Sequence, residues 1–231
     1  MNRLLFFILT FSFLIFFSCN SNETGKAKDV NPEAIYFDYK IWGEEGKENL
    51  TVKLQYRFGG EDGTTLLLEE PSKVELDGEI LIADSSKITG VYYEVQKPVA
   101  SFAGKHSIIF TDINKKQYRE IFSFQPFRLE TKLNDTLHRD QGDFKLKGLD
   151  PEDYLTVLLT DTSFSGEGIN RMDTVYNGRL FITKEEMYNL ANGPVQLEFI
   201  KESEKPVRNG TREGGRISIS FTLRREFILK D

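Results

Sequence analysis

The sequence predicts an all-β fold: two tandem β-sandwich domains, the second with a short helical insertion. Three observations predict it. From Ala34 onward most runs alternate apolar and polar residues with period two, as half-buried strands do. No amphipathic helix of ordinary length interrupts them, and turn formers such as Gly59-Gly60, Asp77-Gly78 and Asn177-Gly178 punctuate them. Aromatic residues make up 13% of the chain, including 19 Phe, and that much apolar surface needs burying.

The chain begins with a different kind of segment. Met1-Asn2-Arg3 carries one positive charge, and Leu4 to Phe17 is apolar except for Thr10 and Ser12. A charged start, an apolar stretch of about 7–15 residues and a small residue at its end are the parts of a secretory signal peptide, assigned here to residues 1–18. The run is short for a membrane span, which needs about 20 residues. Polar Asn20 to Thr24 follows at once.

Phe16-Phe17-Ser18-Cys19 places the only cysteine of the chain at the end of that run. The stretch resembles the lipobox of bacterial lipoproteins. The resemblance implies cleavage before Cys19, a diacylglyceryl thioether on its sulfur and acylation of the new N-terminus by a fatty acid such as palmitate. Phe16 stands where that family usually has Leu. Ordinary secretion, with Cys19 merely near the cut, and an uncleaved anchor are the alternatives. Several acyl chains hold a soluble domain firmly, since each buried CH₂ contributes about 0.8 kcal/mol. An acylated Cys19 leaves no thiol for a disulfide, so the exported chain relies on its core. Asn20, where the enterobacterial sorting rule reads Asp as inner-membrane retention, implies the outer membrane of the cell envelope. Whether the domains face the periplasm or the cell surface is open.

Residues 19–33 contain Gly25, Lys26, Lys28 and Pro32 and read as a flexible, lipid-proximal tether. Residues 34–125 form the first predicted sandwich. Ile35, Phe37, Tyr39 and Ile41 make one inward row, and Leu50, Val52, Leu54, Tyr56 and Phe58 make another. Val74-Leu76, Ile80-Ile82, Val91-Tyr93-Val95, Ile108-Ile109-Phe110 and Tyr118 to Phe124 follow. About seven short strands in such a length is an immunoglobulin-like pattern, here without the Cys–Trp–Cys core of antibody domains. Gln125-Pro126 is the predicted joint. Residues 126–231 form the second sandwich, from Phe127-Leu129 to the alternating row Ile217-Ile219-Phe221-Leu223. An Asn177-Gly178 hairpin turn lies within it. Thr183-Lys184-Glu185-Glu186 has the spacing of a capping box, and Gly193 closes the short helix it starts. Glu202 to Gly215 is charged and Gly-rich and reads as an exposed excursion, whose Arg208, Asn209, Arg212 and Arg216 would suit an acidic partner.

The Phe-rich signal and twin β-modules are similar to small lipoproteins of the Bacteroidota with immunoglobulin-like sandwiches. Asp135-Thr136-Leu137 and Asp173-Thr174-Val175 resemble the short O-glycosylation acceptor of that phylum. No functional residue is implied by this likeness.

A net charge of −6 with no basic cluster excludes a nucleic-acid binder. No cofactor is implied. The two histidines, His106 and His138, read as a strand residue and a loop residue. Asp135, Asp140 and Asp143 lack the D-x-D-x-D-G spacing of a calcium loop and read as turn chemistry. Gly166-Glu167-Gly168 is too short for a phosphate loop. The adjacent acids Glu44-Glu45, Glu61-Asp62 and Glu69-Glu70 lie in or beside turns. In a strand, neighbours face opposite ways and cannot pair for catalysis. No enzyme is predicted.

Binding is the remaining class. Period two sends Tyr36, Asp38, Lys40 and Trp42 to the face opposite the inward row, and Tyr92 joins them from another strand. An outward aromatic face suits a glycan or a protein partner. The competing expectation is that these rings are buried between the two domains. The sequence thus predicts a membrane-anchored binding or assembly module. A surface carbohydrate-binding lipoprotein using Tyr36, Trp42 and Tyr92 and a periplasmic structural subunit of an envelope complex are the alternatives.

Overall fold

Alternation decides the architecture. The computed structural model describes residues 24–162 and 168–231, and nearly all of its regular structure is strand. Cys19 lies outside the described residues, as do Gly166 and Glu167. In chain order the strands are β1 (Gly25–Lys26), β2 (Ile35–Glu44), β3 (Asn49–Phe58), β4 (Thr64–Leu67), β5 (Lys73–Leu76), β6 (Glu79–Ile80), β7 (Ala83–Ser86) and β8 (Gly90–Pro98). Then come β9 (Gly104–Thr111), β10 (Gln117–Phe124), β11 (Arg128–Leu129), β12 (Thr136–His138) and β13 (Asp143–Lys147). After them run β14 (Tyr154–Asp161), β15 (Ile169–Thr174), β16 (Arg179–Phe181), helix α1 (Lys184–Tyr188), β17 (Gly193–Pro206) and β18 (Gly215–Lys230).

One large sheet runs β1-β4-β3-β2-β18-β17-β14-β15, with β8 beside β3, β7 beside β8, and β12 beside β18. Two smaller sheets, β10-β9-β5-β6 and β11-β13-β16, cover its inner face. The arrangement is sandwich-like, and the inner rows meet as the alternation requires. Phe37 packs edge-on to Phe110 at 5.2 Å and to Tyr56 at 5.3 Å, while Tyr56 stacks on Phe110 at 4.6 Å. On the other half Phe144 meets Phe199 edge-on at 5.5 Å. Two hydroxyls sit inside the first core: Tyr39 and Tyr56 pair at 3.3 Å, and burial pushes both phenols up. Tyr93 is pushed up to about 12, chiefly by burial, and its oxygen accepts the Leu68 N–H. Phe58 departs from its predicted row, being exposed at the strand end.

The two sets of strands are joined more closely than a pair of beads. The long hairpin β17–β18 belongs by sequence to the second set, yet Gly215–Thr222 pairs in parallel with Phe37–Glu44 of the first. The seam beneath is aromatic: Phe221 meets Phe124 at 5.8 Å and Phe127 at 5.5 Å.

Two expectations are corrected here. The segment 202–215 is not a free excursion, because Glu202 to Pro206 continue β17 and the turn that follows is pinned to the first set. Thr211 donates to the Ile35 carbonyl, the Arg208 and Arg212 N–H groups donate to Glu120 and Glu33, and Asn209 donates to the Arg119 carbonyl. The predicted tether also packs against the fold from Gly25. β1 pairs in parallel with β4, Ala27 is buried, and Lys26 and Lys28 pair with Glu69. Glu33 then ties three segments together, accepting from Lys116, Tyr118 and Arg212.

Helix α1 starts on the capping box that Thr183 and Glu186 form. It ends at Tyr188 rather than near Gly193, because Arg139 reaches in and donates to the carbonyls of Met187 and Leu190. Asn177 and Gly178 both have positive φ, which a two-residue hairpin turn of this hand requires. Among the described residues no helix is long and apolar enough to cross a membrane.

Candidate functional site

The outer face of the large sheet carries the predicted aromatic site. Tyr36, Asp38, Lys40 and Trp42 do share this face, in register with Arg57, Gln55, Lys53 and Thr51 of β3 and with Arg216, Ser218 and Ser220 of β18. Burial between two domains is not observed, since Trp42 is 41% exposed. The rings do not converge either. Tyr36 and Trp42 are six positions apart along one strand, about 20 Å. Tyr92 has Lys53 Nζ 3.7 Å over its ring and donates its hydroxyl to Asp84. Burial and then the Glu61 carboxylate raise the Tyr36 phenol.

Between Tyr36 and Trp42 the face is electrostatic. Asp38 is buried, accepts from Arg216 Nε at 3.0 Å and has Lys40 at 3.7 Å and Arg57 at 3.8 Å. Arg216 also reaches Glu61. Asp38 first, and other carboxylates after it, hold that guanidinium above its ordinary range. Arg216, expected to await an acidic partner, is therefore spent on holding β18 to β2. The paired acids Glu45 and Glu69 are likewise taken by Arg225 and by Lys26 and Lys28.

The histidines have structural partners. His106 lies with Nδ1 2.7 Å from Asp77 and Nε2 2.9 Å from the Phe102 carbonyl, its ring stacked on Phe102 at 3.6 Å. His138 Nδ1 lies 2.8 Å from the main-chain oxygen of Asp231. Asp143 pairs with Arg179, and among the described residues no cluster of three metal-ligating side chains occurs.

A different site, absent from the sequence reading, lies at the seam on the inner face. A groove of about 570 Å³ separates β10 from the β17–β18 hairpin. Ile217, Ile219 and Phe221 of β18 floor it, Ser203 and Lys205 of β17 line it, and Lys201 bridges to Asp153 at 2.6 Å. Its volume is in the range of ligand-binding clefts, about 300–1,000 Å³. It exists because the small sheet stops at β10 while the large sheet continues beneath. Sequence could not show it: Ile217, Ile219 and Phe221 look like any inward row, and only the end of the covering layer leaves them beside an opening.

The sequence matches no family model and no curated protein. Among solved structures it is similar to DIP-gamma IG1+IG2, at 12% identity and a TM-score of 0.24 over 81% of this chain and 94% of that one. A 1.5-MDa bacterial ice-binding adhesin aligns at 10% identity and 0.25, covering 87% of this chain and 66% of that one. The Yersinia pseudotuberculosis adhesin InvE aligns at 12% and 0.23, covering 83% and 59%. None of these superpositions is close enough to assign a fold family or a function.

Proposed function

We propose that the chain is a lipid-anchored protein of the cell envelope that acts as a binding or assembly module rather than as an enzyme. Its two immunoglobulin-like sandwiches are fused through the shared sheet. The observation that carries the binding reading is the seam groove, an apolar floor left open beside a strand edge. The structural partners of His106 and His138 support the non-enzymatic reading. The anchor rests on the signal segment and Cys19. The separation of Tyr36, Trp42 and Tyr92 favours a protein partner over a glycan, because one sugar ring needs its stacking platform within a few ångströms.

Labelled palmitate should enter the intact protein and not the Cys19→Ala form, which should leave the membrane fraction. Unchanged labelling and fractionation would sink the anchor. A pull-down of the intact protein from its native membrane that returns no envelope protein would sink the assembly reading.

A further inference from the structure

The groove is bordered by a strand edge with unused hydrogen-bonding groups. Among the described residues β10 pairs with β9 alone, on one side. The direction of its backbone groups follows from its neighbours. Ser107 of β9, which stands opposite Ile121, donates its N–H to the Asp77 carboxylate and accepts the Asp77 N–H, so it points away from β10. The Ser107–Ile121 pair is thus a non-hydrogen-bonded one, and Ile121 points its own N–H and C=O outward. The Arg119 carbonyl confirms the parity, since it accepts from Asn209 on that outer edge. Period two carries the same direction to Ser123. The backbone groups of Ile121 and Ser123 therefore face the groove, and among the described residues no strand lies beside them. Exposed edges of this kind template the pairing of another chain.

The geometry points to this groove as the seat of an extended peptide segment of a partner protein, added to the small sheet as a strand beside β10. The inference rests on the binding-module reading and names the partner's chemistry. A strand laid about 4.8 Å from β10 would sit over the floor of Ile217 and Ile219, about 10 Å above the large sheet. Its inward residues would be apolar, and its outward ones would stand beside Ile121, which is 61% exposed. Backbone pairing supplies the affinity and alternate side chains the specificity, as in strand addition generally. Charge orders its ends. Lys205 and Arg208 flank the end of the groove nearest Glu120, and among the described residues neither side chain forms an ion pair. Glu120 beside them is buried and accepts the Arg208 N–H. A carboxylate of the incoming strand belongs at that end. The site also continues an existing interface: the hairpin turn already covers β10 at Arg119 and Glu120, and the free edge begins where that cover stops.

The probe is a synthetic octapeptide of alternating valine and threonine ending in two glutamates, with the same peptide N-methylated on its edge-facing amides as the comparison. Titration of the soluble chain from residue 20 onward should show saturable binding of the first and at least about tenfold weaker binding of the second, the value of one or two lost hydrogen bonds. Ser123→Pro removes one edge N–H without touching the ladder to β9 and should weaken the plain peptide by about tenfold. Ile219→Glu, in the floor, should do the same if Ser123→Pro unfolds. Absence of saturable binding up to about 1 mM, or equal affinity for plain and N-methylated peptide, overturns the inference. Either result leaves the palmitate labelling and the native pull-down to judge the wider reading separately.

Discussion

The outer face around Asp38 and the groove along β10 border the same hairpin, yet they are finished differently. On the outer face the charges of Asp38, Arg216 and Glu61 answer one another, and Lys53 covers Tyr92. In the groove, among the described residues, the backbone of Ile121 and Ser123 has no strand beside it and the side chains of Lys205 and Arg208 form no ion pair. Aromatic residues mark the first surface, whereas unpaired groups distinguish the second. A face whose polar groups are already paired has less to gain from a partner than one whose groups are not.

Removing the ring that floors the groove and joins the two halves of the core should have the largest effect. Phe221→Ala takes out the ring that Phe124 and Phe127 pack against, and should cost about 3–5 kcal/mol in urea unfolding and abolish octapeptide binding. Asp38→Ala attacks the outer face alone. It leaves Arg216 without its main partner and should cost about 1–3 kcal/mol, reduced from the fully buried case because Arg216 is partly exposed. Octapeptide affinity should stay within about twofold, as independent sites add. A large loss of affinity in Asp38→Ala would show that the surfaces are coupled through β18.

Glu33 sharpens the comparison through pH. Its hydrogen bond from Lys116, then that from Tyr118, holds its carboxyl below the ordinary carboxylate range. A depressed folded pKa contributes stability that is present above the unfolded value and lost as pH falls through the folded one. Urea midpoints of Glu33→Gln should therefore fall below wild type at neutral pH and converge with it in acid, where both have lost the contact. Trp42→Ala should have the smallest effect, within about 0.5 kcal/mol, with octapeptide binding unchanged. A clear loss of a bound envelope protein in Trp42→Ala would return the site to the outer face.

Local features were legible because their causes are local. The inward row Ile35-Phe37-Tyr39-Ile41, the capping box at Thr183 and the turn at Asn177-Gly178 each depend on residues within a few positions. The joining of the two sets was not legible, because it rests on pairs such as Ile217 with Tyr39, far apart in sequence, and alternation does not name a strand's neighbour. The charged run from Glu202 concealed strand because Glu204 lies on the outer face while Lys201 and Lys205 line a groove instead of a core. Of the expected site, the shared face of Tyr36 and Trp42 is readable from period two, but a shared face says nothing of whether its rings lie close enough to stack one ligand. The groove depends on where a covering sheet ends, and no single stretch of sequence encodes that.

Amide hydrogen exchange over residues 117–125, with and without the octapeptide, tests the central claim most directly. The account predicts that the N–H groups of Ile121 and Ser123 exchange freely alone and become protected when the peptide is present, while exchange around Trp42 does not change. Protection centred on the Trp42 face, or binding that leaves Ile121 and Ser123 unprotected, would contradict it.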